Sequence, residues 1–255
     1  MSKNFELMQE ALREALSEPP TVPESSAVVV LGREADRDTS RNSSDFDAFA
    51  QQECFKLVQR IFLAQTPNLF RTVAFAGVDR GDGCSRICVE VARILAANTS
   101  ASVCLVEANF RTPSLPKFFG VPDDRGLVDA VLGEGRIRTF TQQLRPSNLW
   151  LLSAGNLVPE SASLLNSDRL KLRLQELRNE FGYVLIDVPA LNVYADAIAL
   201  GRIADGLVVV LQADSTRRES ALKSVEGLRE AHIEVLGAVL NRRKFPIPEF
   251  VYRRL

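Results

Sequence analysis

The sequence predicts an α/β fold: a doubly wound, mostly parallel sheet with helices on both faces. Three observations carry this. Short apolar runs bounded by turn residues alternate with stretches of helical periodicity from residue 73 to residue 241. Two of the runs, Tyr183 to Asp187 and Gly206 to Gln212, lack polar alternation, as strands buried on both faces do. And an apolar strand, Val73 to Gly77, runs into the glycine-rich turn Gly81-Asp-Gly83 and then into a helix from about Ser85. In that layout backbone N–H groups and a helix N-terminus face an anion. Ligands on such sheets bind at the carboxyl ends of the strands.

Bulk properties bound the rest. The 255 residues, 46% hydrophobic and 25% charged with a net charge of -1, suit one large α/β domain plus an extension. The charge balance calls for no nucleic-acid partner. The longest apolar run, Gly206 to Leu211, is far too short to cross a bilayer, and the N-terminus carries charges in place of a secretory apolar core, so a cytoplasmic location is expected. The four cysteines Cys54, Cys84, Cys88 and Cys104 show no CxxC spacing and are expected to stay reduced. Cys84 and Cys88, one helical turn apart, lack further ligands for a metal.

In chain order, Phe5 to Leu16 reads as an amphipathic helix ended by Pro19 and Pro20. From Pro19 to about Ser44 the composition is that of a mostly extended linker, interrupted by Ala27-Val-Val-Val-Leu31, which is either a short strand or an apolar linker segment. A helix from about Asp47 to Leu63 buries Phe49, Phe55, Val58, Phe62 and Leu63. After Val73 to Gly77 come a helix (Ser85 to Ala97), a strand (Ser102 to Glu107), a short helix (Gly126 to Leu132), a strand (Leu149 to Ser153) and a helix (Asp168 to Phe181). Beyond Gly206 to Gln212, Thr216-Arg-Arg-Glu219 reads as a capping box opening a helix to about His232. Val235 to Asn241 is the last strand. This divides the chain into an N-terminal helix and linker (1–45), a nucleotide-binding-type domain (46–245) and a short tail (246–255).

Three strand ends carry polar signatures: Gly81-Asp-Gly83, Glu107-Ala-Asn-Phe-Arg111 and Asp187-Val-Pro189. An acidic residue closing an apolar strand holds a magnesium ion or orients an attacking group in such folds, although each motif alone is an ordinary turn. Their order and separation carry more weight. Arg80-Gly-Asp-Gly-Cys-Ser-Arg86, Leu105-Val-Glu-Ala-Asn-Phe-Arg-Thr-Pro113 and Leu185-Ile-Asp-Val-Pro-Ala190 resemble the phosphate-loop and two acidic motifs of the bacterial tyrosine kinases of capsular and exopolysaccharide export (BY-kinases), a branch of the MinD/ParA-like P-loop ATPases. The resemblance covers roughly Ala48 to Asn241. It extends to Phe118-Phe119, Gly126-Leu127, Asn148-Leu149, Asp196-Ala197, Asp205-Gly206 and Val239-Leu-Asn241.

The resemblance implies a nucleotide site of Gly81, Asp82, Gly83, Cys84, Ser85, Arg86, Arg111 and Asn241, with ATP or ADP and Mg²⁺ as cofactors unless that binding has been lost. Ser85, Asp187 and Glu107 are the implied magnesium ligands, and Asp187 the implied catalytic carboxylate. The departures point the other way. Where the family has lysine, Cys84 cannot place a charge against the β- and γ-phosphates. Losing one such contact costs about 1.5–3 kcal/mol in binding, and losing a donor to transition-state charge costs on the order of 10² to 10³ in rate. Glu107 is longer by a methylene than the family's aspartate, and Asn109 removes a charge. The family's oligomerisation motif is softened to Glu53-Cys-Phe-Lys-Leu-Val-Gln59, and its C-terminal tyrosine cluster is reduced to Tyr252.

Several residues keep two readings. Arg86 either folds back over the phosphate pocket or faces solvent. Cys84 is either a low-pKa redox thiol or a small neutral filler. Arg111 serves a phosphate or a structural ion pair; Asn241 contacts a base or caps a strand. His232 ends a helix, where a catalytic role is disfavoured. The expected function is a degenerate, kinase-like regulatory or scaffolding subunit of polysaccharide export. It would dock on the cytoplasmic tail of a membrane chain-length regulator, peripheral to the inner face of the membrane, alone or as a homo- or hetero-oligomer with related kinases. An active autokinase or ATPase using Arg86, and a MinD/ParA-like positioning ATPase, are the alternatives.

Overall fold

A computed structural model of the chain describes residues 27–34, 43–64 and 70–245. The helix expected over Phe5 to Leu16, the tail from residue 246 and Tyr252 lie outside the described residues. The eight strands are β1 (Ala27–Glu34), β2 (Thr72–Gly77), β3 (Val103–Glu107), β4 (Gln142–Gln143), β5 (Leu149–Leu152), β6 (Tyr183–Val188), β7 (Gly206–Gln212) and β8 (Val235–Phe245). They form one sheet in the order β1-β8-β7-β2-β6-β3-β5-β4. Every pairing is parallel except β4 with β5.

The helices are α1 (Ser43–Ile61), α2 (Cys84–Ala97), α3 (Leu115–Phe119), α4 (Leu127–Leu132), α5 (Ser161–Leu164), α6 (Asp168–Glu180), α7 (Asp196–Gly201) and α8 (Arg218–Glu230). Alternation along each strand feeds two cores. In β2, Val73 and Phe75 pack with Leu57, Val58 and Phe62 of the α1 region and Ile87, Val91 and Leu95 of α2. Ala74 and Ala76 face the opposite core, built on Leu127, Leu170, Leu174, Leu177, Leu200 and Val225. Burying one such side chain contributes about 1.5–3 kcal/mol, so both sheet faces are committed to helices and only the strand ends remain for ligands.

One open reading is resolved and one expectation is corrected. The segment read as mostly linker contains an edge strand, Ala27–Glu34, in parallel register with β8 from Ala27 opposite Gly237 to Glu34 opposite Phe245. The β-branched Val28-Val-Val30 run favours strand, and without it β8 would present a row of unpaired backbone groups. The capping box at Thr216 does not form. The N-cap of α8 is Arg217 without a side-chain cap bond, because the Thr216 hydroxyl is turned toward the phosphate loop. In α1, Val58 and Phe62 are buried as expected, Phe55 and Leu63 only partly, and Cys54, Leu57 and Ile61 complete the stripe.

Candidate functional site

The turn between β2 and α2 has the shape of an anion cradle. Gly81 has φ 92° and Gly83, the N-cap of α2, has φ 86° and ψ 21° with no side-chain cap. A left-handed residue at the N-cap turns the first N–H groups of α2 into the loop, and a side chain at position 83 would meet Asn241 Nδ2 at 2.3 Å.

Three neighbouring loops brace the turn. Asn241 Nδ2 donates to the carbonyl of Asp82 at 2.8 Å. The Thr216 hydroxyl donates to Asp82 Oδ1 at 3.1 Å, and Asp82 Oδ2 accepts from the Asp79 backbone N–H at 2.8 Å. From the loop after β6, the backbone N–H groups of Leu191 and Asn192 donate to the carbonyls of Gly77 and Val78, and Asn192 Nδ2 donates to Asp79 Oδ1 at 3.1 Å. The Ser224 hydroxyl of α8 donates to Asn192 Oδ1 at 2.7 Å. Asp82 is 3% exposed, and burial raises its carboxyl above the ordinary range. Its side chain therefore shapes the loop from within, and the Asn241 side-chain amide clamps the loop at the Asp82 carbonyl.

The other two motifs meet the cradle. Glu107 of β3 stands opposite Asp187 of β6 in the parallel register, and both are wholly buried. Glu107 Oε2 accepts from the backbone N–H groups of Ser114 at 2.8 Å and Leu115 at 2.6 Å, so its extra methylene reaches the start of α3. Glu107 Oε1 and both Asp187 carboxylate oxygens have no hydrogen-bond partner. The Cys84 and Ser85 side chains lie beside Asp187 without completing a hydrogen bond. Burial raises both carboxyls above the ordinary range, and for Glu107 the charge of Asp187 adds to it. Three orphaned, buried carboxylate oxygens next to a serine hydroxyl have the donor chemistry of a hard divalent cation. Such an ion would supply charge neutralisation at the phosphates.

Of the two readings of Cys84, the surroundings favour the neutral filler. Burial first, and the negative charge of Asp187 second, push its thiol well above its usual value, so it is a neutral thiol and no redox thiolate. All four cysteines are free. Arg86 is exposed on the first turn of α2. Arg111 pairs with Asp196 Oδ2 at 3.3 Å and lies 4.8 Å from the centre of the Tyr194 ring, which is the structural reading of that arginine. Asn109 closes a turn with Thr112. His232 sits just before β8, at the amino ends of the strands and away from the phosphate loop, with Nδ1 near the Glu230 carbonyl. In α1, Glu53 pairs with Lys56 of its own helix, while Gln59 is exposed. An open groove of about 600 Å³ lined by Arg93, Phe118, Phe119, Val121, Leu144 and Arg145 lies beside the turn between β4 and β5.

Sequence reasoning missed Asn192, Thr216 and Tyr194. Asn192 and Tyr194 lie on an ordinary-looking loop, and Thr216 carried a better-known helix signal. Only the adjacent Asp196-Ala197 match marked the region.

No protein-family profile matches the chain. Among curated proteins it is similar to tyrosine-protein kinase YwqD of Bacillus subtilis, 29% identical over 184 residues, covering 68% of this chain and 77% of that one. It is 26% identical over 187 residues to the putative tyrosine-protein kinase CapB of Staphylococcus aureus, covering 73% and 81%. It is also 28% identical over 175 residues to the succinoglycan biosynthesis transport protein ExoP of Rhizobium meliloti, where it spans only 22% of that chain. Among solved structures, the kinase domain of Escherichia coli tyrosine kinase ETK superposes with a TM-score of 0.76 at 18% identity, covering 90% of this chain and 97% of that one. The Pyrococcus furiosus cell division ATPase MinD superposes with a TM-score of 0.59 at 22% identity, covering 68% and 73%. The chain is a homologue of the bacterial tyrosine-protein kinases, on the P-loop fold that they share with MinD-like ATPases.

Proposed function

We propose that the chain is a degenerate tyrosine-kinase-like protein acting as a regulatory or scaffolding subunit in exopolysaccharide or capsule biosynthesis and export, with weak or no ATP-dependent autophosphorylation. The observation that carries the reading is the neutral Cys84 thiol beside the wholly buried Asp187. A loop that must draw in a triphosphate has an uncharged thiol where the resemblance calls for a lysine, and electrostatic stabilisation of transferring phosphate is the main resource of such enzymes. The relatives support the setting, since one of them is named a biosynthesis and transport protein. In this reading the chain docks on the cytoplasmic tail of a membrane chain-length regulator, alone or oligomerised with related kinases. No helix among the described residues is long and apolar enough to cross a membrane.

Incubation of the purified protein with radiolabelled ATP and Mg²⁺, alone and with an active relative, tests the reading. The wild type is expected to autophosphorylate on the order of 10² to 10³ times more slowly than the relative. Comparable rates would overturn it.

A further inference from the structure

The groove beside the turn between β4 and β5 combines apolar walls with two cations. Phe118, Phe119, Val121 and Leu144 supply the apolar surface, Arg93 and Arg145 the charge, and no acidic residue lines it. Arg93 is held in place: its guanidinium lies 4.9 Å from the centre of the Phe119 ring and donates to the Phe118 carbonyl at 3.1 Å. Its ion pair with Glu90, at 3.4 Å and partly exposed on both sides, neutralises little of that charge. Arg145 is exposed, and the Phe118 ring belongs to a residue 40% exposed. An apolar surface of this kind gains by being covered, and its two arginines select a cover that is apolar at its centre and acidic at its border.

The chain itself carries a segment of that chemistry. Phe5, Met8, Leu12 and Leu16 fall on one stripe of a helix, and Glu6 and Glu10 border the stripe. Over residues 1–18, four glutamates oppose one lysine and one arginine. We propose that the segment from Phe5 to Leu16, which lies outside the described residues, docks its apolar stripe into this groove of its own chain, with Glu6 and Glu10 toward Arg93 and Arg145. Anchors at i, i+3 and i+7, here Phe5, Met8 and Leu12, are the spacing by which an amphipathic helix fills an apolar groove. The connection is long enough. Every strand but β4 runs the same way, so Ala27 at the start of β1 and the turn before β5 stand at the same end of the sheet. Six strand spacings separate β1 from β5, roughly 29 Å, whereas the eleven residue steps from Leu16 to Ala27 reach about 36 Å when extended.

Photo-crosslinking of the purified full-length chain tests this, with p-benzoylphenylalanine placed at Gln143, an exposed residue on the groove. Mass spectrometry is expected to find the crosslink on residues 1–18, in a product that migrates as a single chain. Met8→Ser combined with Leu12→Ser is expected to lower the yield at least about tenfold, as loss of buried anchors does. Arg145→Glu is expected to lower it about 2- to 5-fold, the range of an exposed charge pair, and Glu6→Lys with Glu10→Lys to recover it in that background. No crosslink to residues 1–18 would leave the groove to a separate acidic partner and overturn the proposal. A product joining two chains would overturn it in favour of exchange between copies. An unchanged yield in the Met8→Ser, Leu12→Ser variant or in Arg145→Glu would also overturn it, since the apolar stripe or the charge would then play no part. If Arg145→Glu does not fold, the wild type and the Met8→Ser, Leu12→Ser variant decide.

Discussion

Asn241 donates from its side-chain amide to the carbonyl of Asp82, 159 residues earlier and 2.8 Å away. The same amide accepts the Arg242 backbone N–H at 2.9 Å, so the end of β8 fixes the phosphate loop. Asn241→Ala removes the clamp and is expected to cost about 0.5–1.5 kcal/mol. Gly83→Ala is expected to cost about 1–3 kcal/mol, since displacing the Asn241 side chain relieves the clash and leaves a non-glycine residue at positive φ. Thermal denaturation reads both, at about 2–4 °C per kcal/mol for a chain of this size. A midpoint unchanged in Gly83→Ala would mean that the loop does not hold this conformation.

Asn192 ties the segment after Asp187 to the phosphate loop and to α8 at once. Asn192→Ala frees Asp79 and Ser224 together. The amides of residues 79–83 are expected to exchange hydrogen faster in this variant, with little change in the strands, because the strap is local to the loop. Uniformly faster exchange across β2 and β6 would show a loss of global stability instead.

The buried carboxyl pair sets a pH dependence. Because burial raises Glu107 and Asp187 in the folded state, the native chain holds a proton there more tightly than the unfolded chain does. Their stabilising contribution is full below the unfolded carboxylate range and is lost as pH rises from there through the raised values of the folded state. The metal-free protein is expected to melt at progressively lower temperature over that window. Glu107→Gln is expected to flatten the slope. Glu107→Asp, a methylene too short to reach the backbone of Ser114 and Leu115, is expected to cost about 0.5–2 kcal/mol through the lost cap on α3.

Cys84 is expected to be inert although it sits in a candidate site. Its thiol is held neutral by burial and by the charge of Asp187, so iodoacetamide should modify it at least about tenfold more slowly in the native protein than in the unfolded chain. Mass spectrometry of the alkylated peptides reads the ratio. Rapid native labelling of Cys84 would restore the redox-thiol reading.

The sequence by itself determined the strand and helix alternation, the anion-shaped turn at Gly81 to Gly83, and the loss of charge at Cys84, because these depend on local periodicity, backbone freedom and side-chain chemistry. It also named Glu107 and Asp187. Only the tertiary structure decided what those residues do. Glu107 stands opposite Asp187 because of strand register, a relation between segments 80 residues apart that no local pattern encodes. Asp82, Thr216, Asn192 and Asn241 have donors and acceptors that satisfy a turn, a cap or a ligand equally well in isolation. Packing brought them together, and because a buried polar group must find a partner, the phosphate loop became the partner they share.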